Sequence, residues 1–200
     1  MDDFYLTIAQ TAQVENKVKG SRFIAQTKMV KSETEALQFL KGIRKREHAA
    51  THHCYAYRIG HGQNVLFKYS DDGEPSGTAG KPIYDCITGR DLTYVIAVVT
   101  RYFGGTKLGT GGLARAYSET AVLALEESGT KTVYITDQLM MRFDFRYYDQ
   151  ILKALEKYKA EQISSEFSEI VQLTVSVRQS KTTELINEIT NLTHGQAQIE

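Results

Sequence analysis

The placement of glycine constrains this chain more than any other feature. Eleven of its 15 glycines lie between Gly60 and Gly112, and none occurs between Gly129 and Gly195. Glycine tolerates positive φ and close backbone approach but weakens helix and strand interiors. The middle of the chain must therefore carry specialised loops on short elements, while the last third reads as regular secondary structure. This change of style predicts a boundary at 129–137, with domains at 1–130 and 137–200.

Composition narrows the class. With 42% hydrophobic and 24% charged residues, the chain can bury a core, which excludes intrinsic disorder. It holds no run of apolar residues long enough to span a bilayer, and the start MDDFYLTIAQ has two acids and no basic stretch. Neither a membrane span nor a secretory signal is predicted, and the expected location is the cytoplasm. Cys54 and Cys86, without C-x-x-C spacing, predict reduced thiols.

Formal net charge is zero, yet it is polarised along the chain. Residues 17–58 carry ten Lys or Arg against three acids, and residues 119–200 carry eight against thirteen. A basic front half can follow phosphates, although a solvated charged face without a partner has the same composition.

Short strands are predicted at 4–9, 13–18 and 22–29, with Lys19, Gly20 and Ser21 as turn residues. Ser32 and Glu35 have capping-box spacing, so a helix should follow, lined by Ala36, Leu37, Leu40 and Ile43. A hairpin of 54–59 and 64–69, a short helix from Pro82, a buried strand at 94–100 and a long helix from about 110 to 129 come next. The long helix should bury Leu113, Ala116, Tyr117, Thr120 and Ala124. Beyond 137 the order reads β-α-β-β-α-β, with strand 170–178 alternating Val171, Leu173, Val175 and Val177 with polar residues. That pattern predicts an α+β, ferredoxin-like layer of sheet and helices.

The segment from Arg101 to Gly112, RYFGGTKLGTGG, joins the buried strand to the long helix. Gly104, Gly105, Gly109, Gly111 and Gly112 allow successive amides to point at one anion at a helix N-terminus. Arg101, Lys107 and Arg115 would complete the charge match, and Tyr102 and Phe103 offer stacking surface, one of them by alternation expected in the core. The alternative is that the glycines only let a tight loop pack on the sheet. Neither standard phosphate motif fits. A Walker A needs Lys-Ser or Lys-Thr where Thr110-Gly111 stands, and eight residues separate Thr100 from Gly109 where a Rossmann turn follows its strand at once.

A second loop holds Asp71, Asp72 and Glu74. An EF-hand is excluded by Pro82 at its twelfth position. The acids are expected to build turns, bond loop amides and pair with the basic loop. His48, His52, His53 and Cys54 lack convergent geometry on a strand, so no metal is predicted, and a packed Cys54 beside a surface His53 is preferred to a nucleophile. No catalytic residue and no cofactor is assigned.

Three strings together are specific: His53-Cys54-Tyr55-Ala56-Tyr57-Arg58, then Ser70 to Pro75 with Gly77 to Gly80, then Arg101 to Gly109. They resemble the IMPACT/YigZ family, whose members include translation-linked proteins, over about residues 15–128, and the remainder is similar to the C-terminal domain of bacterial members. The resemblance implies a first domain like the βαβ module of ribosomal proteins and translational GTPases. It implies a ferredoxin-like second domain, similar to the last domain of elongation factor G. His53 and Arg58 join the expected anion or nucleic-acid site on this basis. Eukaryotic members act on translation initiation through an extra N-terminal domain. This chain starts at the family domain, so that pathway role is not expected here. The leading expectation is a noncatalytic RNA- or ribosome-associated protein and translation regulator, with a protein partner also considered and no membrane contact. The alternatives are an enzyme acting on a phosphorylated small molecule through the glycine loop, and a protein-interaction module.

Overall fold

The computed structural model describes residues 3–200. They form two compact units, Tyr5–Val133 and Tyr134–Glu200, with Asp3 and Phe4 grouped with the second. In the first unit the strands are β1 (Phe4–Ile8), β2 (Ala12–Val18), β3 (Ser21–Met29), β4 (His52–Ile59), β5 (Leu66–Ser70), β6 (Val95–Tyr102) and β7 (Thr130–Tyr134). The helices are α1 (Glu33–Arg46), α2 (Gly80–Thr88) and α3 (Gly109–Glu127). Five strands form one antiparallel sheet in the order β2-β3-β6-β4-β5.

The apolar run in β6 is central because it is buried on both sides. Its residues alternate between two cores. Ala25, Ala56 and Ala97 lie on the face that packs α2 and α3, where Leu113, Ala116, Tyr117, Ala121 and Ala124 complete the core. Small side chains there let two helices approach the sheet closely. Tyr55, Tyr57, Ile96 and Val98 fill the other face, against the Ala36, Leu40 and Ile43 stripe of α1. Leu37, expected in that stripe, is 39% exposed, because one residue beyond Ala36 turns about 100° around the helix.

The capping box is also displaced. The Glu35 amide donates to Ser32 Oγ at 3.2 Å, but the Glu35 carboxylate accepts from the Lys31 amide at 2.8 Å rather than from the cap itself. Helix α2 begins at Gly80, two residues before Pro82, whose missing N–H falls among the first four helical amides that have no intrahelical acceptor. Strand β6 starts one residue later than expected, after Tyr94 at φ +55°, and extends to Tyr102.

Residues 129–137, expected as a boundary segment, are largely strand. Strand β7 pairs with β1 in a two-stranded ribbon, and β8 (Thr136–Asp144) follows almost at once. The units change inside this segment, at Val133 and Tyr134, and Asp3 and Phe4 group with the second of them.

The second unit continues with α4 (Tyr148–Lys157), β9 (Glu161–Phe167), β10 (Ile170–Arg178), α5 (Thr182–Leu192) and β11 (Gln198–Ile199). Its sheet order is β11-β8-β10-β9, antiparallel throughout. Leu139, Met141, Phe143 and the four alternating apolar residues of β10 pack against Ile151, Leu155, Leu185 and Ile189. The fold is α+β. No helix among the described residues is long and apolar enough to cross a membrane.

The glycine loop meets the β2–β3 turn backbone to backbone. A Cβ on Gly104 would overlap the Gly20 carbonyl, and the Gly104 amide donates to Ser21 Oγ at 3.2 Å. Gly104→Ala is therefore expected to destabilise the chain by about 2–3 kcal/mol in urea unfolding. A wild-type midpoint would show that the two loops do not need this approach.

Candidate functional site

Strand register gathers one end of the five-stranded sheet. Lys17 lies opposite Arg22, Arg22 opposite Tyr102, and Arg101 opposite His52. The β2–β3 turn, the end of β6 and the start of β4 thus share this end. So do the N-termini of α2 and α3, which follow β5 and β6, and the last turn of α1, with Arg44, Lys45 and Arg46, which precedes β4. Most of the residues singled out in the sequence fall here, but they do different work from that expected.

Arg101 is not a surface cation. It is 5% exposed, and one Nη donates to Glu74 Oε1 at 2.6 Å while the other reaches Ser21 Oγ at 3.3 Å. Its guanidinium lies between the rings of Phe23 and Phe103, 5.4 and 5.5 Å from their centroids. The same Glu74 oxygen accepts from Tyr117 Oη at 2.8 Å. Burial and the Glu74 charge hold the Tyr117 phenol far above its ordinary range. Neither Tyr102 nor Phe103 is core. Tyr102 donates to Glu47 at 2.6 Å with Arg22 over its ring, and Phe103 is half exposed. Strand alternation instead turns Arg101 inward.

The acidic loop is an internal clamp. Asp71 accepts from the amides of Gly77, Ala79 and Gly80 at 2.8–2.9 Å and so supplies α2 with the cap its own sequence lacks. Asp72 accepts from Arg44 at 2.5 Å and from the His53 amide at 2.6 Å. The expected amide bonds are present and Arg101 supplies the expected pairing with the basic segment, whereas Asp72 pairs instead with Arg44 of α1.

His53 is buried rather than on the surface, on the α1 face, where its Nδ1 meets Thr100 Oγ1 at 3.1 Å. Arg58 lies at the far end of β4 and donates to the Leu92 carbonyl at 2.9 Å, so the structure does not bring it to the glycine loop. Cys54 donates to the Asp71 carbonyl at 3.0 Å, and burial pushes its thiol well up, away from the reactive thiolate.

In the glycine loop, Gly105 and Lys107 are exposed, while Gly109, Gly111 and Gly112 form the first turn of α3 and Arg115 follows on its exposed side. The amides do not make one continuous anion nest. Phe103 and Gly104 donate to Thr51 Oγ1 and Ser21 Oγ, so free amides begin after them. Ser21, Glu47, Thr51 and Tyr117 were not legible as site residues. They bond partners up to 83 residues away, and only the turn character of Ser21 and the apolar stripe of Tyr117 marked them locally.

Residues 19–125 match the family profile of the Impact N-terminal domain, and residues 141–196 match a domain of unknown function, DUF1949. The chain is 35% identical to the IMPACT family member YvyE of Bacillus subtilis, over 98% of this chain and 90% of that one. It is 30% identical to the IMPACT family member YigZ of Escherichia coli, over 100% and 98%. A crystal structure described as that of a hypothetical protein superposes with a TM-score of 0.70 at 30% identity, covering 100% of this chain and 97% of that one. These matches place the chain in a class of α+β proteins built on the Impact N-terminal domain. The chain belongs to the IMPACT family.

Burial lowers the pKa of His53 from 6.5, outweighing the nearby Asp72 charge. Since the unfolded chain binds this proton more readily, stability is full above about pH 6.5 and declines as pH falls below it, by at most about 1.4 kcal/mol per pH unit. His53→Gln should make the loss between about pH 6.5 and 5 shallower in denaturant titrations. An identical slope in both proteins would assign the loss elsewhere.

Proposed function

We propose that the protein is a noncatalytic RNA-binding, ribosome-associated regulator of translation that engages single-stranded RNA with this end of the sheet. The observation that carries the reading is the convergence there of exposed Lys17, Lys19, Lys45 and Lys107, the half-exposed Phe103 ring, and the uncapped N-terminus of α3. Cations along a rim follow phosphates, and an accessible ring stacks on unpaired bases. Asp71, Asp72 and Glu74 do not cancel that field, because they are turned inward onto amides and guanidinium groups, and Glu15, at 3.7 Å from Lys17 and from Arg22, offsets the charge only at the β2–β3 edge. Arg101 serves as the internal anchor of this surface and not as a phosphate contact.

The same bonds weigh against the enzyme reading. A carboxylate whose oxygens already accept three loop amides, as those of Asp71 do, is fixed in place and turned away from any substrate, which makes a poor general base. The resemblance to a family with translation-linked members supports a ribosomal setting. So does the β-α-β-β-α-β order with sheet order β11-β8-β10-β9 in the second unit, which we read as a ferredoxin-like domain, a fold that recurs in RNA-binding proteins. The first unit is read as a βαβ module of the ribosomal-protein and translational-GTPase kind. It carries two split crossovers, in which β3 and β4 flank β6, and β5 and β6 flank β4.

Single-stranded RNA should bind with a slope of log affinity on log salt of about −0.7 per phosphate neutralised. Lys17→Gln, Lys19→Gln and Lys45→Gln combined should flatten the slope by about 2 units. Binding that ignores salt, or a triple variant with the wild-type slope, would remove the rim from the account.

A further inference from the structure

A cleft beside the glycine loop shares Lys107 and Phe103 with the rim but none of Lys17, Lys19 and Lys45. It has a volume of about 350 Å³ and is walled by Glu74, Arg101, Phe103, Lys107, Thr110 and Leu113. That is the small end of the range for ligand pockets, room for one compact molecule.

Four features of the wall agree on what that molecule carries. Helix α3 runs for 19 residues from Gly109 with no side-chain cap and no acid in its first turn, so its first amides and the positive end of its dipole are unanswered. Lys107, at the mouth, has no ion-pair partner among the described residues. The buried Arg101 keeps an Nε–H that meets no acceptor. An unmet buried donor costs free energy and marks a place where an acceptor is missing. Phe103 presents a flat ring with half its area uncovered, above the apolar Leu113. The Glu74 charge does not oppose an incoming anion, since Arg101 faces it at 2.6 Å.

The geometry points to a binding site for a single nucleotide, its phosphate at the N-terminus of α3 and Lys107 and its base against Phe103. Three terminal phosphate oxygens suit several amides and an ammonium group, whereas the ring wall has no use for a bare anion. The nucleotide comes either free or as the phosphorylated end of an RNA strand. The inference deepens the RNA reading, on which it rests through the shared Lys107 and Phe103, and it is separable from it because Lys17, Lys19 and Lys45 lie outside the cleft.

The test is amide NMR on the full chain, titrated with adenosine 5′-monophosphate, with inorganic phosphate, and with one oligonucleotide in 5′-phosphorylated and unphosphorylated forms. The monophosphate or the phosphorylated strand should move resonances of residues 107–113. The former alone identifies a free nucleotide and the latter alone an RNA end, and either supports the site. Phe103→Ala should weaken binding by about tenfold, the size of one base–aromatic stack. Thr110→Glu places an acid where a helix N-terminus favours one, so the fold should melt no lower than wild type while the shifts disappear. The rim variant Lys17→Gln, Lys19→Gln and Lys45→Gln should lose strand affinity yet keep the monophosphate shifts, which separates failure of the rim from failure of the cleft. Inorganic phosphate binding as tightly as the monophosphate, equal shifts from the unphosphorylated strand, shifts that survive Thr110→Glu, or no shift with any probe would overturn the site.

Discussion

The buried contact between Arg101 and Glu74 holds the functional end of this protein together. At 2.6 Å, with both side chains removed from water, it joins the end of β6 to the acidic loop. Tyr117 adds α3 through the same carboxylate oxygen, and Ser21 adds the β2–β3 turn through the guanidinium. Removing either partner would strand a buried charge, at a cost of about 3–5 kcal/mol. The pair contributes less to net stability than that figure implies, because two charges must first be desolvated. Its larger effect is to fix the relative positions of four segments that are distant in sequence.

A second constraint is the unequal width of the two faces of the sheet. The alanines at 25, 56 and 97 admit two helices on one side, while tyrosine and isoleucine side chains hold α1 on the other. Close approach of α2 and α3 brings both of their N-termini to the same end as the basic last turn of α1. The uncapped dipole end of α3 and the side-chain cations then reinforce one another. A neutral chain acquires a positive rim because the acids of its loop, Asp71, Asp72 and Glu74, are engaged from within, which leaves Glu15 to offset Lys17 and Arg22.

Family membership is consistent with this division of labour. The matched Impact N-terminal domain, residues 19–125, contains the whole clamp together with the glycine loop. Six of the eleven glycines from Gly60 to Gly112 sit at positive φ in its turns or at the start of α3: Gly60, Gly62, Gly73, Gly77, Gly105 and Gly109. Gly80 and Gly104 are needed instead because backbone passes where a Cβ would stand.

Period and punctuation by themselves determined the elements. Alternation in β10, the stripe of α3 and the buried run of β6 are local patterns, and each element formed close to where its pattern lay. Local pattern also located the glycine and acidic loops as the chemically distinctive part of the chain. Only tertiary structure decided which charges face water. Arg101 and Lys107 look equivalent in the sequence, yet strand alternation turns one onto Glu74 and the loop leaves the other in solvent. The paired strand β7 at the unit boundary, the placing of Arg58 at the wrong end of β4 and the burial of His53 are of the same kind. Each depends on partners tens of residues away, and a hydrogen bond or a desolvated charge is set by what the fold brings alongside, which no window of neighbouring residues contains.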